Sequence, residues 1–185
     1  MNILYEKLPN FVIVQGKRYE IETDFREWIR FCELVEDDSV SIWIKCSLMM
    51  KWYYEMPKDL EAAIYALGDF LSAKDMYQDH DKKNQNAKSE PAFDFNEDAG
   101  CIYAAFVECY GIDLQKISYM HWWKFLSLFH GLPETTEIKQ RMMYRTIDPA
   151  EIKDKEERKR VKMIQRKVAL HKKKISDYDI GDIFA

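Results

Sequence analysis

Apolar and polar residues alternate from Phe11 to Ile21 on either side of Gln15-Gly16. This predicts a small β-hairpin with Val12 and Val14 on one arm and Tyr19 and Ile21 on the other. Beyond it the apolar spacing becomes helical. Asp24 and Glu27 form a capping box, and Phe25, Trp28, Ile29, Cys32 and Val35 follow on one face. Ser39 caps a second predicted helix with Ile42, Trp43, Cys46, Met49 and Tyr53 in a stripe. Pro57 precedes a third, buried through Leu60, Ala63, Ile64, Leu67 and Leu71.

From Lys74 to Pro91 the chain turns to Asp, Lys, Gln, Asn, His and Ser, with Met76 and Tyr77 its only large apolar side chains. Such a stretch buries too little surface to offset its ordering entropy, so a mobile loop is expected. Asn96 then starts a fourth helix with Ile102, Ala105, Phe106 and Cys109 inward and Gly111 at its end. Asp113 caps a fifth, from Leu114 to about His130, apolar on most sides and therefore central. Gly131 and Pro133 stop it, and a sixth runs from about Thr135 to Arg145. Asp148-Pro149-Ala150-Glu151 is a start signal for a seventh, expected to reach about Lys174.

The pattern predicts a mainly α protein: a helical bundle of about six or seven helices with a small N-terminal β-hairpin and a long basic C-terminal helix. The expected organisation is a helical body over 1–147, with its loop at 74–91, followed by the basic helix and an acidic tail over 148–185. That last part belongs to the same domain or is an appendage. Composition narrows the class. The 185 residues are 47% hydrophobic and 14% aromatic, enough for a real core, while five Pro and six Gly speak against disorder, a fibrous repeat and a many-turned β-sandwich. No apolar run reaches the roughly 18 residues of a membrane span. Met1 to Asn10 lacks the apolar centre of a signal peptide, so export is not expected. The four cysteines, Cys32, Cys46, Cys101 and Cys109, form no closely spaced pair. They are expected to be free buried thiols in a reducing cytoplasm, neither metal ligands nor a disulfide framework.

Charge is unevenly distributed. The predicted seventh helix carries eleven Lys/Arg against four Asp/Glu, a balance of +7, whereas the whole chain is −4, leaving −11 elsewhere. Val161, Ile164 and Val168 give this basic rod a narrow apolar stripe suited to lying across a surface. Its charges admit three uses: a solvated face, a protein-binding face, or a nucleic-acid contact through Arg158, Lys159, Arg160 and Lys162. The acidic chain and the lack of a base-reading motif disfavour the last. The stripe has no Trp or Phe to anchor in a membrane.

Candidate chemistry is sparse. His121-Trp122-Trp123 suits a ligand-stacking box or a base, but on a central helix it reads better as core packing, with the imidazole satisfied by backbone or a carboxylate. Asp94, Glu97 and Asp98 before the fourth helix, and Asp79, His80 and Asp81 in the loop, match no metal-ligand spacing. No phosphate loop, nucleophile elbow or dinucleotide fingerprint is present, so no catalysis, metal or cofactor is expected.

In order along the chain stand Tyr19-Glu20-Ile21 with Asp24-Phe25-Arg26, Phe93-Asp94-Phe95 with Asp98-Ala99, and Ile102-Tyr103-Ala104-Ala105-Phe106. Tyr110-Gly111-Ile112-Asp113-Leu114, His121-Trp122-Trp123-Lys124-Phe125, Gly131-Leu132-Pro133 and Tyr144-Arg145 follow. The combination resembles the Gp-fifteen family of tailed phages and prophages of Gram-positive bacteria. Its core here is Asp94, Phe95, Asp98, Tyr110, Gly111, Asp113, His121, Trp122, Trp123 and Phe125. The resemblance implies a non-enzymatic tail-assembly chaperone of long, non-contractile tails that binds tape-measure protein, the major tail protein, or both. It also implies action in the bacterial cytoplasm and absence from the mature virion. Self-association is left open. The partner-binding expectation falls on the basic helix: Arg158, Lys159, Arg160, Lys162, Arg166 and Lys167 around Val161, Ile164 and Val168. A neck, connector or minor tail component is the first alternative, and a nucleic-acid-binding regulator the second.

Overall fold

The computed structural model describes residues 1–76 and 92–171. Most of the expected loop and the acidic tail lie outside the described residues, as do Asp79, His80 and Asp81. The described chain has a two-stranded antiparallel hairpin, β1 (Phe11–Val14) and β2 (Lys17–Glu20), and seven α-helices. These are α1 (Phe25–Glu36), α2 (Ile42–Met49), α3 (Leu60–Leu71), α4 (Ala99–Tyr110), α5 (Trp122–His130), α6 (Glu137–Thr146) and α7 (Lys155–Val168). The mainly α expectation holds. The elements fall into two compact units: residues 1–76 with 115–131, holding the hairpin, α1 to α3 and α5, and residues 92–114 with 132–171, holding α4, α6 and α7.

In the first unit, Gln15 and Gly16 both adopt left-handed φ values, 50° and 75°, the geometry that lets a two-residue turn follow the strand twist. Val12 pairs with Tyr19, and Val12, Val14, Tyr19 and Ile21 are all buried, as the alternation predicts. Asp24 caps α1 by accepting from the Arg26 N–H at 3.0 Å. The reciprocal arm is not Glu27, however. The Glu22 carboxylate accepts from the N–H groups of Thr23 and Asp24, and Glu27 pairs with Arg30 instead. The buried face of α1 is Phe25, Trp28 and Phe31, while Val35 turns out to solvent.

Aromatic rings make the centre of this unit. Trp28, wholly buried, lies 4.7 Å from Phe70 and 5.1 Å from Phe31, and Phe25 stacks on Phe125 at 4.9 Å. Each buried indole needs an acceptor. Trp28 donates to the Glu22 carbonyl (2.9 Å), Trp122 to Leu71 (2.8 Å) and Trp123 to Phe70 (2.7 Å), so the end of α3 is fixed by the start of α5. At α3, the cap is Asp59, which accepts from the Ala62 N–H.

Three expected boundaries move. The fifth helix was expected from Leu114, but residues 115–120 are not helical. Their backbone is engaged elsewhere: Phe25 N–H donates to the Met120 carbonyl (2.9 Å), the Met120 N–H to the Asp24 carboxylate (3.3 Å) and the Arg26 guanidinium to the Ile117 carbonyl (2.7 Å). The second helix starts after Ser41, because Ser39 is held by the Asp37 carboxylate. Its expected stripe holds only towards its end: Met49 and Tyr53 are buried, but Ile42 and Trp43 are exposed and Lys45 is buried, its ammonium donating to the Val35 carbonyl at 2.6 Å. Asp148 closes a turn through the Ala150 N–H, and the helix begins only after Asp154, which accepts from Glu157 N–H at 2.7 Å. α7 ends at Val168, shorter than the expected run to Lys174.

Candidate functional site

The second unit is organised around a buried ion pair. Asp98, at the start of α4, is completely buried, and Arg145 on α6 binds it through two nitrogens at 2.6 and 3.0 Å. The Asp94 N–H donates to the same carboxylate at 3.1 Å, and Arg141 approaches at 3.4 Å. Burial alone would push the Asp98 carboxyl up. The Arg145 hydrogen bonds, the Asp94 amide and the guanidinium charges outweigh it and hold the group below the usual carboxylate range. Arg145 also donates to the carbonyls of Ala92 (3.0 Å) and Val168 (2.6 Å), so one side chain ties the approach to α4 and the end of α7 to α6.

The rest of the motif core serves similar ends. Asp94 accepts from the N–H groups of Asn96 and Glu97, and Phe93 meets Phe95 edge-on at 5.0 Å. Tyr103 donates to Asp113 at 2.9 Å, and Tyr110 packs against Phe106. Gly111 takes φ 65° and ends α4 as expected, its N–H returning to Val107.

In the first unit, His121 is the N-cap of α5. Its Nδ1 accepts from the Trp123 N–H at 3.0 Å, which places the proton on Nε2, within 3.0 Å of the Pro9 carbonyl. Burial pushes its pKa below the ordinary histidine value, against the pull of that carbonyl. Both nitrogens are therefore spent on backbone, and Trp122 and Trp123 on the core, which agrees with the packing reading.

Among the described residues no group of three or more His, Cys, Asp or Glu could hold a metal ion. The cysteines form no disulfide, as expected, but are half-buried rather than buried. Burial and the neighbouring Glu36 push the Cys32 thiol up to about 12, so it is a thiol, not a nucleophilic thiolate, at neutral pH. An open groove of about 800 Å³ runs between the N-terminal segment and the hairpin. It mixes both signs of charge, and Arg18 there lies flat over Phe11 at 3.6 Å.

What the second unit displays is the outer face of α7. Acidic Glu156 and Glu157 open this helix and basic Arg166 and Lys167 close it, each favourable with the helix dipole. Val161 is buried and Ile164 and Val168 are half-buried, so the expected apolar stripe is occupied largely by the protein itself. The Gln165 amide secures that face by donating to the Tyr144 and Ile147 carbonyls, both at 2.8 Å. Arg158 also turns inward, to the Ile152 carbonyl. Lys159, Arg160, Lys162, Arg166 and Lys167 remain exposed, joined by Met163 at 54% exposure, which the periodicity did not single out. Over Lys155–Val168, seven Lys/Arg oppose two Glu.

Fold and surfaces together define a small, mainly α protein whose motif polar groups stabilise its own framework and whose last described helix, α7, has a local excess of Lys and Arg. Among the described residues no helix is long and apolar enough to cross a membrane. Residues 4–170 match the family described as Bacteriophage Gp15 protein, and the chain belongs to that family. It is thus a phage protein of a structural or assembly-related kind. No curated protein and no solved structure matches the chain.

Proposed function

We propose that this protein is a tail-assembly chaperone that grips tape-measure or tail-tube protein through the exposed face of α7, in the host cytoplasm, and leaves before the virion is complete. Family membership supports a role in phage morphogenesis. The observation that carries the binding assignment is the row Lys159, Arg160, Lys162, Arg166 and Lys167, exposed on a helix whose other face is fastened by Val161, Gln165 and the Arg145–Val168 bond. A helix held this way loses little further freedom when a partner lands on it. Exposed ion pairs contribute only about 0–1 kcal/mol each and are screened by salt, so several acting together give fast, reversible capture of an acidic helical partner. Reversible capture is what a chaperone needs.

The triple variant Lys159→Glu, Arg160→Glu, Lys162→Glu should co-purify less tape-measure protein while its far-ultraviolet circular dichroism is unchanged; undiminished capture removes the α7 assignment. Mass spectrometry of purified particles tests the other half: stoichiometric presence would make the protein a virion component instead.

A further inference from the structure

Among the exposed residues of α7, Met163 alone is apolar, and it is 54% exposed. The neighbours of a residue on a helix surface are those three and four positions away. For Met163 these are Lys159, Arg160, Arg166 and Lys167, all four basic and all exposed. They form one face, because the opposite one, through Val161, Ile164, Gln165 and Val168, is buried or half-buried and is fastened by the Gln165 amide. Lys159 shares its ammonium with Glu156, both exposed, whereas Arg160, Arg166 and Lys167 enter no side-chain hydrogen bond or ion pair among the described residues. A lone exposed apolar residue is ordinary. An apolar centre enclosed on every side by charged heads on aliphatic stems has the anatomy of a small binding surface, with a dry middle and a polar rim.

We propose that this face selects an amphipathic partner helix with an apolar side chain that seats on Met163 and acidic residues three or four positions before and after it. The inference deepens the reading of α7 as the capture face and rests on it. Carboxylates at that spacing share a face with the apolar residue, the same geometry that sets the cations around Met163. In one docked pose the apolar side chains meet at the centre and opposite charges meet at the rim. The thioether is unbranched and polarisable, so it accepts an aliphatic or an aromatic side chain with little demand on shape. Charge governs encounter, and the contact at the centre decides which acidic helix stays. A nucleic acid supplies the charge but no side chain for the centre, since it meets such a face through its phosphates.

Binding of two synthetic helical peptides to the full chain, read by fluorescence anisotropy, tests it. Both peptides carry Glu three and four positions before and after a central residue, which is Leu in one and Gln in the other. Leu and Gln have similar helix propensities, so the pair differs at the contact and not in helicity. The Leu peptide should bind about tenfold more tightly than the Gln peptide. Met163→Gln, at an exposed position, should erase that preference and leave the affinity for the Gln peptide as it was, with circular dichroism unchanged. Equal binding of the two peptides by wild type overturns the proposal. So does a preference that survives Met163→Gln, a lack of binding by both peptides, or displacement of the Leu peptide by an equimolar duplex oligonucleotide at physiological salt. Failure of the tail-assembly reading looks different: wild type would keep the peptide preference yet retain no tape-measure or tail-tube protein.

Discussion

Replacing Asp98 by Asn removes one charge and almost no volume, so it isolates the worth of the ion pair at the heart of the second unit. The carboxylate is fully buried and Arg145 has 7% of its side chain exposed, which leaves the guanidinium little water to turn to. Removing one partner of a buried pair typically costs about 3–5 kcal/mol. Arg145 keeps the Ala92 and Val168 carbonyls as acceptors, and the introduced carboxamide still offers one oxygen, so the lower end, about 3 kcal/mol, is expected. Asp98→Ala, which offers none, should cost about 4 kcal/mol. Arg141→Ala is the contrast. At 3.4 Å and 31% exposure, its link to Asp98 should contribute no more than about 1 kcal/mol. Hydrogen exchange of peptides from α4, α6 and α7 across a urea series reads these differences within the unit. The pH dependence supplies a second readout. A carboxyl whose folded pKa is lowered stabilises the protein fully above the ordinary carboxylate range and loses that contribution as the pH falls through the folded value. Wild type should therefore weaken in acid by an amount that Asp98→Asn lacks. An Asp98→Asn protein as stable as Arg141→Ala would refute the reasoning.

His121 should behave in the same sense at higher pH. Its lowered pKa means that its contribution is complete above the ordinary value of 6.5 and is lost as the pH falls through the lowered folded value, where protonated Nδ1 can no longer accept from Trp123. His121→Asn, which keeps an acceptor at the cap, should flatten that part of a melting-temperature profile; an unchanged slope would contradict it. Gly111→Ala meets no neighbour within 4 Å of the new Cβ, so only the left-handed backbone resists it. A loss of about 1 kcal/mol in urea unfolding is expected, and none at all would show that α4 does not need this cap.

The parts of the fold that were readable from sequence are those specified locally. Gln15-Gly16 sets the hairpin turn, Gly111 ends α4, and the buried positions of α3 recur at helical spacing through Ala63 and Leu67. Where the expectation failed, the deciding bond came from far along the chain. Residues 115–120 hold no glycine or proline to bar a helix, but Asp24, Phe25 and Arg26 claim the backbone of Ile117 and Met120. Likewise α2 is apolar on most sides, so its sequence does not single out the buried face: Ile42 and Trp43 face water while Lys45 turns in to the Val35 carbonyl. The motif residues were found by resemblance, not by chemistry: Asp98 read as a helix-start acid, since nothing local announces a guanidinium 47 positions later.

The interleaving of the two units imposes a schedule on synthesis. The first unit lacks α5 until residue 131 has left the ribosome, and by then all of α4 has already emerged. At about 5–20 residues per second, the nascent chain waits several seconds with Trp28, Phe25 and Phe70 short of the rings that will cover them. A nascent chain exposed only as far as residue 120 would therefore be an aggregation-prone stub, whereas one exposed past residue 131 would already present every segment of the first unit.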